Sequence, residues 1–191
     1  MYSRYFERKF FERARKLRRQ SNCPKAQTAA VIANNKKEIS IGWNACQPEG
    51  FSREGKICLG DCPRIKMATT QSYEVCHIIH AETLTILNVL GILSEEILCE
   101  FESHKFPTKE IISKFFSQGD LGLLRGAALY LSGHTYACDN CKEMCRLVGL
   151  RSILVDPEPA AKVSAYYQGL GRAVPWEPRA DLINGIWHVN K

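Results

Sequence analysis

The sequence predicts an α/β layered domain, a sheet covered by helices. Two observations lead there. The apolar spacing switches between a helical and a strand period in the order helix, hairpin, helix, strand, helix, strand, and such late alternation is the pattern of a helix-covered sheet. The chain has 191 residues, 45% of them hydrophobic and 24% charged, enough for one domain with appendages and a real core.

Each element has a local reason. Phe6, Phe10, Ala14 and Leu17 recur at helical spacing among basic residues, so Ser3 to Arg19 reads as an amphipathic helix. Thr28 to Ala33 and Ile39 to Trp43 read as strands on either side of the turn Asn34-Asn35-Lys36-Lys37, a hairpin. From Asn44 to Tyr73 there is no period and several Gly and Pro, hence an irregular loop, long enough to need something to hold it. His80 to Leu90 reads as a buried helix closed by Gly91. Residues 92–126 form an insertion in which Ile111, Ile112, Phe115 and Phe116 mark a short helix. Ala127 to Leu131 reads as a strand, Asp139 to Val148 as a helix ending at Gly149, and Ser152 to Val155 as a strand stopped by Asp156-Pro157. Residues 1–155 are thus expected as one domain. Residues 156–191, with Tyr166, Tyr167, Trp176 and Trp187, are expected as a C-terminal extension packing on it or on a neighbouring subunit.

Composition narrows the class. No long uncharged apolar run is present, so no transmembrane helix and no membrane partner are expected. The charged start, Met-Tyr-Ser-Arg-Tyr-Phe-Glu-Arg, lacks the apolar stretch of a signal peptide, and a cytoplasmic protein is expected. Nine cysteines are an odd count, which argues against a disulfide framework and for metal binding in a reducing compartment. The net charge of +6 is concentrated between Arg13 and Lys25, in Arg15, Lys16, Arg18, Arg19 and Lys25. That stretch is either a phosphate-facing patch or a solvated helix face.

Two fragments carry chemistry. His80-Ala81-Glu82 opens one helix and Cys138-Asp139-Asn140-Cys141 opens another. A Cys-x-x-Cys at a helix start can place both sulfurs on one metal, and the positive helix end favours the thiolate. One His and two Cys leave a fourth position for water, the arrangement of a catalytic zinc rather than a structural one. Glu82 is offset to reach that water and move its proton.

His-x-Glu followed by Cys-x-x-Cys resembles the zinc cytidine and deoxycytidylate deaminase superfamily. Ser21-Asn22-Cys23-Pro24, Val31-Ile32, Gly42-Trp43-Asn44, and Cys62-Pro63-Arg64 with Cys76 ahead of His80 are similar to its deoxycytidylate branch. Ala137 stands where that family usually has Pro, and Ala45 where it often has Gly. The resemblance implies a three-layer α/β/α fold with a mixed central sheet. It also implies attack of a zinc-bound hydroxide on C4 of cytosine with Glu82 as proton shuttle, dCMP being the best single substrate. Asn44 is then expected on the sugar hydroxyl, the Ala81 backbone on the base, and Arg64 or the residues near Lys25 on the phosphate. A homo-oligomer is implied as well.

Cys58, Cys62 and Cys76 flank the irregular loop and Cys23 sits at the start of the first strand; together the four would make a second, closed zinc site stapling the loop to the core. Cys23 and Cys76 as plain buried thiols are the other reading. Cys46, Cys99 and Cys145 read as core thiols, and His77 and His134 as packing or capping residues. Two other functions stay open. One is an editing deaminase acting on a base in RNA or single-stranded DNA, permitted by the charge but without a separate basic or aromatic module. The other is a non-catalytic zinc module, for which Glu82 has no use.

Overall fold

The computed structural model describes residues 2–45, 78–91, 97, 109–169, 171 and 176–190. Most of the irregular loop, with Cys46, Cys58, Cys62, Arg64, Cys76 and His77, and the part of the insertion holding Cys99, lie outside the described residues.

Helix α1 runs over Tyr2–Leu17 and tightens into a 3-10 turn at Arg18–Gln20. Strands β1 (Ala29–Asn34) and β2 (Lys37–Trp43) pair antiparallel, with Asn34 opposite Lys37. The two residues between them, Asn35 (φ 46) and Lys36 (φ 70), are both left-handed, the type I′ geometry whose twist matches a two-residue hairpin. Helix α2 (Ala81–Leu87) continues into a 3-10 turn at Asn88–Leu90 and stops at Gly91, φ 72. The insertion holds α3 (Lys109–Phe115) and α4 (Gln118–Leu124). The chain then forms β3 (Ala128–Ser132), α5 (Asp139–Leu147), β4 (Ser152–Val155), α6 (Pro157–Gly169), β5 (Arg179–Ile183) and β6 (Ile186–Asn190).

Among the described residues the strands form one mixed sheet in the order β2-β1-β3-β4-β5-β6. Only the β3–β4 pair is parallel, because α5 provides the crossover that parallel neighbours need. Strand alternation sends side chains to two separate cores. Ala29, Val31, Ala33, Ala128, Tyr130 and Leu154 meet Phe10, Ala14 and Leu17 of α1 on one face. Ala30, Ile32, Leu129, Leu131, Ile153 and Val155 meet Ile86, Leu87, Leu124, Met144 and Val148 on the other. Helices on both faces make the three-layer α/β/α arrangement. Each fully buried Leu or Ile contributes about 2 kcal/mol over an exposed one.

Helices α4 and α6 and strands β5 and β6 lie beyond the sequence reading. α4 carries Gly119 and Gly122 but is started by a capping box: Ser117 Oγ accepts from the Asp120 N–H, and Asp120 Oδ2 accepts from the Ser117 N–H. Past Val155 the sheet runs on, since β5 pairs antiparallel with β4 (Ile153 with Ala180) and β6 pairs with β5.

Candidate metal centre

α2 reaches the centre because β2 lets it lie close. A Cβ on Gly42 would sit 2.6 Å from the Thr85 backbone nitrogen and 2.6 Å from Thr85 Oγ1. Ser40 Oγ donates to Thr85 O (2.7 Å) and Asn88 Nδ2 to Ile41 O (2.8 Å), which fixes the helix on the strand. A two-way bridge, Ile79 N to Ala45 O (3.0 Å) and Ala45 N to Ile79 O (3.3 Å), anchors the residue before His80.

His80 does not lie inside α2 but caps it, in extended geometry (φ −68, ψ 149). Cys138 caps α5 in the same way (φ −67, ψ 163), and Cys141 stands in the first turn of that helix. The matching caps bring the ligands together. His80 Nδ1 lies 3.4 Å from Cys138 Sγ and 3.3 Å from Cys141 Sγ. The three ligand atoms lie within 4.8 Å of one another and form the His/Cys cluster able to hold a metal among the described residues. Tetrahedral zinc, with its Zn–S and Zn–N lengths, asks for an S-to-N separation of roughly 3.5 Å. The donor set therefore fits zinc, with His80 offering Nδ1. Cys145, fully buried one turn further along α5, stays outside the cluster.

The charges are poised for a metal. The Cys141 thiol, hydrogen-bonded to Cys138, and the neighbouring His80 together bring Cys138 down to about 4 despite its burial. Cys141 is raised, first because it gives its proton to that bond and then by burial. A zinc ion held here would find one thiol readily ionised and would displace the proton of the other on binding. Glu82, 5% exposed, is raised, chiefly by burial, while His80 pulls it back.

Other expected residues fall as follows. Ala81 is fully buried at the first turn of α2. Asn44 is buried, and its amide already holds the Ser21–Thr28 segment: Oδ1 accepts from Ser21 Oγ (2.6 Å) and the Thr28 N–H (2.8 Å), and Nδ2 donates to Ala26 O (2.7 Å). Three of its four hydrogen-bonding positions are thereby used. Cys23 is buried in that segment, its Sγ accepting from the Ala26 N–H at 3.4 Å. His134 accepts from the Tyr136 N–H and stacks edge-on against its ring. The basic stretch is largely engaged by the protein itself. Arg13 pairs with Glu38, Arg15 with Asp156 and Glu158, and Arg18 Nε donates to Gln27 O. Sequence reasoning missed Thr83, whose Oγ1 lies 4.0 Å from Cys141 Sγ; a Thr after His-x-Glu carries no signal of its own.

A family model described as the cytidine and deoxycytidylate deaminase zinc-binding region matches residues 4–156. The chain belongs to this family. It is a zinc-dependent deaminase, and His80, Cys138 and Cys141 form its metal site. Among solved structures this deaminase is similar to the dCMP deaminase of cyanophage S-TIM5. Its apo form shows 17% identity and a TM-score of 0.46 over 89% of this chain and 95% of that one. The complex with dCMP and dUMP shows 15% and 0.43 over 90% and 96%. A diaminohydroxyphosphoribosylaminopyrimidine deaminase/reductase from Thermotoga maritima is similar at 14% and 0.40, over 91% of this chain and 37% of that one. No curated protein matches the sequence significantly. No helix among the described residues is long and apolar enough to cross a membrane.

Proposed function

We propose that this deaminase hydrolyses the 4-amino group of a cytosine mononucleotide, with dCMP as the best single candidate and dUMP and ammonia as products. The observation that carries the reading is Glu82, a carboxyl buried beside a His/Cys/Cys cluster that leaves one tetrahedral position over. A structural metal site gains nothing from a buried acid there. When bound, zinc supplies the Lewis acidity that makes a water a nucleophile near neutral pH. Glu82 takes one proton of the attacking water and gives it to N3; it then takes the second from the new C4 hydroxyl and gives it to the departing amino group as the C4 carbonyl forms, so one water is consumed and one ammonia leaves. The burial that raises Glu82 suits an acid that must both accept and donate near neutrality.

The Ala81 backbone is assigned to the base and Arg64 with the residues near Lys25 to the phosphate. Cys23, Cys58, Cys62 and Cys76 are assigned to a second, structural zinc, and the working form to a homo-oligomer in the cytoplasm. Support for the mononucleotide comes from the Ser21–Pro24 and Gly42–Asn44 fragments and from the family's own range. The engagement of Arg13, Arg15 and Arg18 by protein groups leaves less of the basic stretch for a long nucleic acid backbone.

The test is to incubate purified protein with dCMP, cytidine and a cytosine-containing oligonucleotide and follow the loss of cytosine absorbance. Turnover of dCMP above the other two is expected; turnover of the oligonucleotide alone overturns the reading. Metal analysis is expected to give two zinc ions per chain, and a value near one removes the second centre.

A further inference from the structure

The family match ends at Asp156, yet the residues beyond it touch the metal-bearing segment on both sides of its cysteines. Upstream, the Glu177 N–H donates to Thr135 O at 3.0 Å, three residues before Cys138. Downstream, Trp187 Nε1 donates to the carbonyl of Lys142, the residue after Cys141, at 3.0 Å. Lys142 Nζ also lies 2.6 Å from Glu177 Oε2, with the two side chains only 13% and 19% exposed. That close ion pair balances the charge of a largely buried carboxylate. Trp187 packs on the core that contains Cys141 and Met144. Trp187 lies in β6 of the hairpin and Glu177 just before β5; β4 holds the hairpin in the sheet, and the Val155 N–H, donating to Pro178 O at 2.9 Å, holds the segment next to Glu177.

We infer that the C-terminal hairpin acts as a brace for the zinc cysteines, with Glu177 and Trp187 as positioning residues that hold Cys138 and Cys141 at ligating distance. The need is physical. Ala137 leaves the backbone entering Cys138 without the φ restraint a proline would impose. A Cys-x-x-Cys turn free to shift loses metal affinity, because ordering it is then charged to binding. Contacts at Thr135 and Lys142 fix that turn from outside. This inference rests on the zinc reading of the centre.

The test uses the full chain stripped of metal and titrated with cobalt(II), whose thiolate absorption reports the site; His80→Ala protein is the blank that subtracts any other cobalt site. Trp187→Phe removes the indole donor but keeps the packing, and Glu177→Gln removes the ion pair but keeps the backbone bond. Each is expected to weaken cobalt binding about fivefold, the scale of one lost hydrogen bond. Arg179→Ala is the control: it removes the Arg179–Asp181 pair (2.8 Å) within β5 of the same hairpin and no bond to α5, and is expected to leave the affinity unchanged. Wild-type affinity in both test variants overturns the brace, as does an Arg179→Ala loss that tracks Tm in the same proportion. Absence of any wild-type signal above the His80→Ala blank overturns the zinc reading itself.

Discussion

Glu82 is the residue on which turnover is expected to depend. It is buried between groups that will carry a metal, and it is not needed to complete their coordination. Glu82→Gln keeps size and polarity but cannot shuttle a proton. It is expected to lower kcat by about 10²–10⁴-fold, the usual contribution of a positioned acid–base group. Zinc content at the His80 centre should stay at the wild-type level; loss of the ion together with turnover would assign Glu82 a structural role instead. His80 and Cys138 make a related point. Their types and spacing announce ligands, but their coincidence at 3.4 Å depends on both residues capping a helix in the same extended conformation.

At the scale of elements, α2 on β2 is the critical contact, because it carries both His80 and Glu82. Gly42→Ala drives a methyl to 2.6 Å from the Thr85 backbone, which a side-chain rotation cannot relieve. We expect a loss of about 2 kcal/mol, typical of overpacking, measured by urea denaturation. A fall in kcat at saturating zinc should accompany it as α2 shifts the carboxyl. The insertion offers an independent check. Ser117→Ala removes the α4 cap and is expected to cost about 1 kcal/mol. The bonds from Ser117 hold Asp120 below the usual carboxylate range. A depressed folded-state pKa adds stability above the unfolded pKa and loses it as pH falls through the lower folded value. The gap between wild type and Ser117→Ala is therefore full at neutral pH and narrows below about pH 4; a gap that widens on acidification contradicts the capping account.

Across the whole molecule, one ion pair ties the first helix to the end of the parallel strands. Arg15 grips Asp156 with two bonds of 2.6 Å across 141 residues of sequence, and Ser132 Oγ donates to the same carboxylate at 2.9 Å. Asp156 is fully buried. Arg15→Met takes away the cation hydrogen-bonded to the Asp156 carboxylate and leaves it the Ser132 hydroxyl, a change that costs about 3 kcal/mol when a buried pair is broken from one side. The expected result is a lower denaturant midpoint in Arg15→Met, largely recovered in Arg15→Met with Asp156→Asn. A double variant as unstable as the single one shows that the loss lies in packing rather than charge.

Much was legible in the sequence because it is local. Helical spacing from Phe6 to Leu17, the hairpin around Asn35, the stop at Gly149 and the strand Ser152–Val155 follow from period and turn chemistry. So do the ligand types of the centre. Other elements were hidden by conflicting local preference. Gly119 and Gly122 disfavour the helix that the Ser117 cap starts, Pro157 stops the strand before it yet sits with Pro159 in the first turn of α6, and β5, with Arg179 and Asp181 among its residues, lacks an apolar alternation. What only the tertiary structure decided are the long-range meetings: Arg15 with Asp156, α2 against Gly42, and Glu177 and Trp187 against Lys142. Such contacts join residues far apart in the chain. They depend on where whole layers pack, and packing leaves no period or motif in the sequence to read.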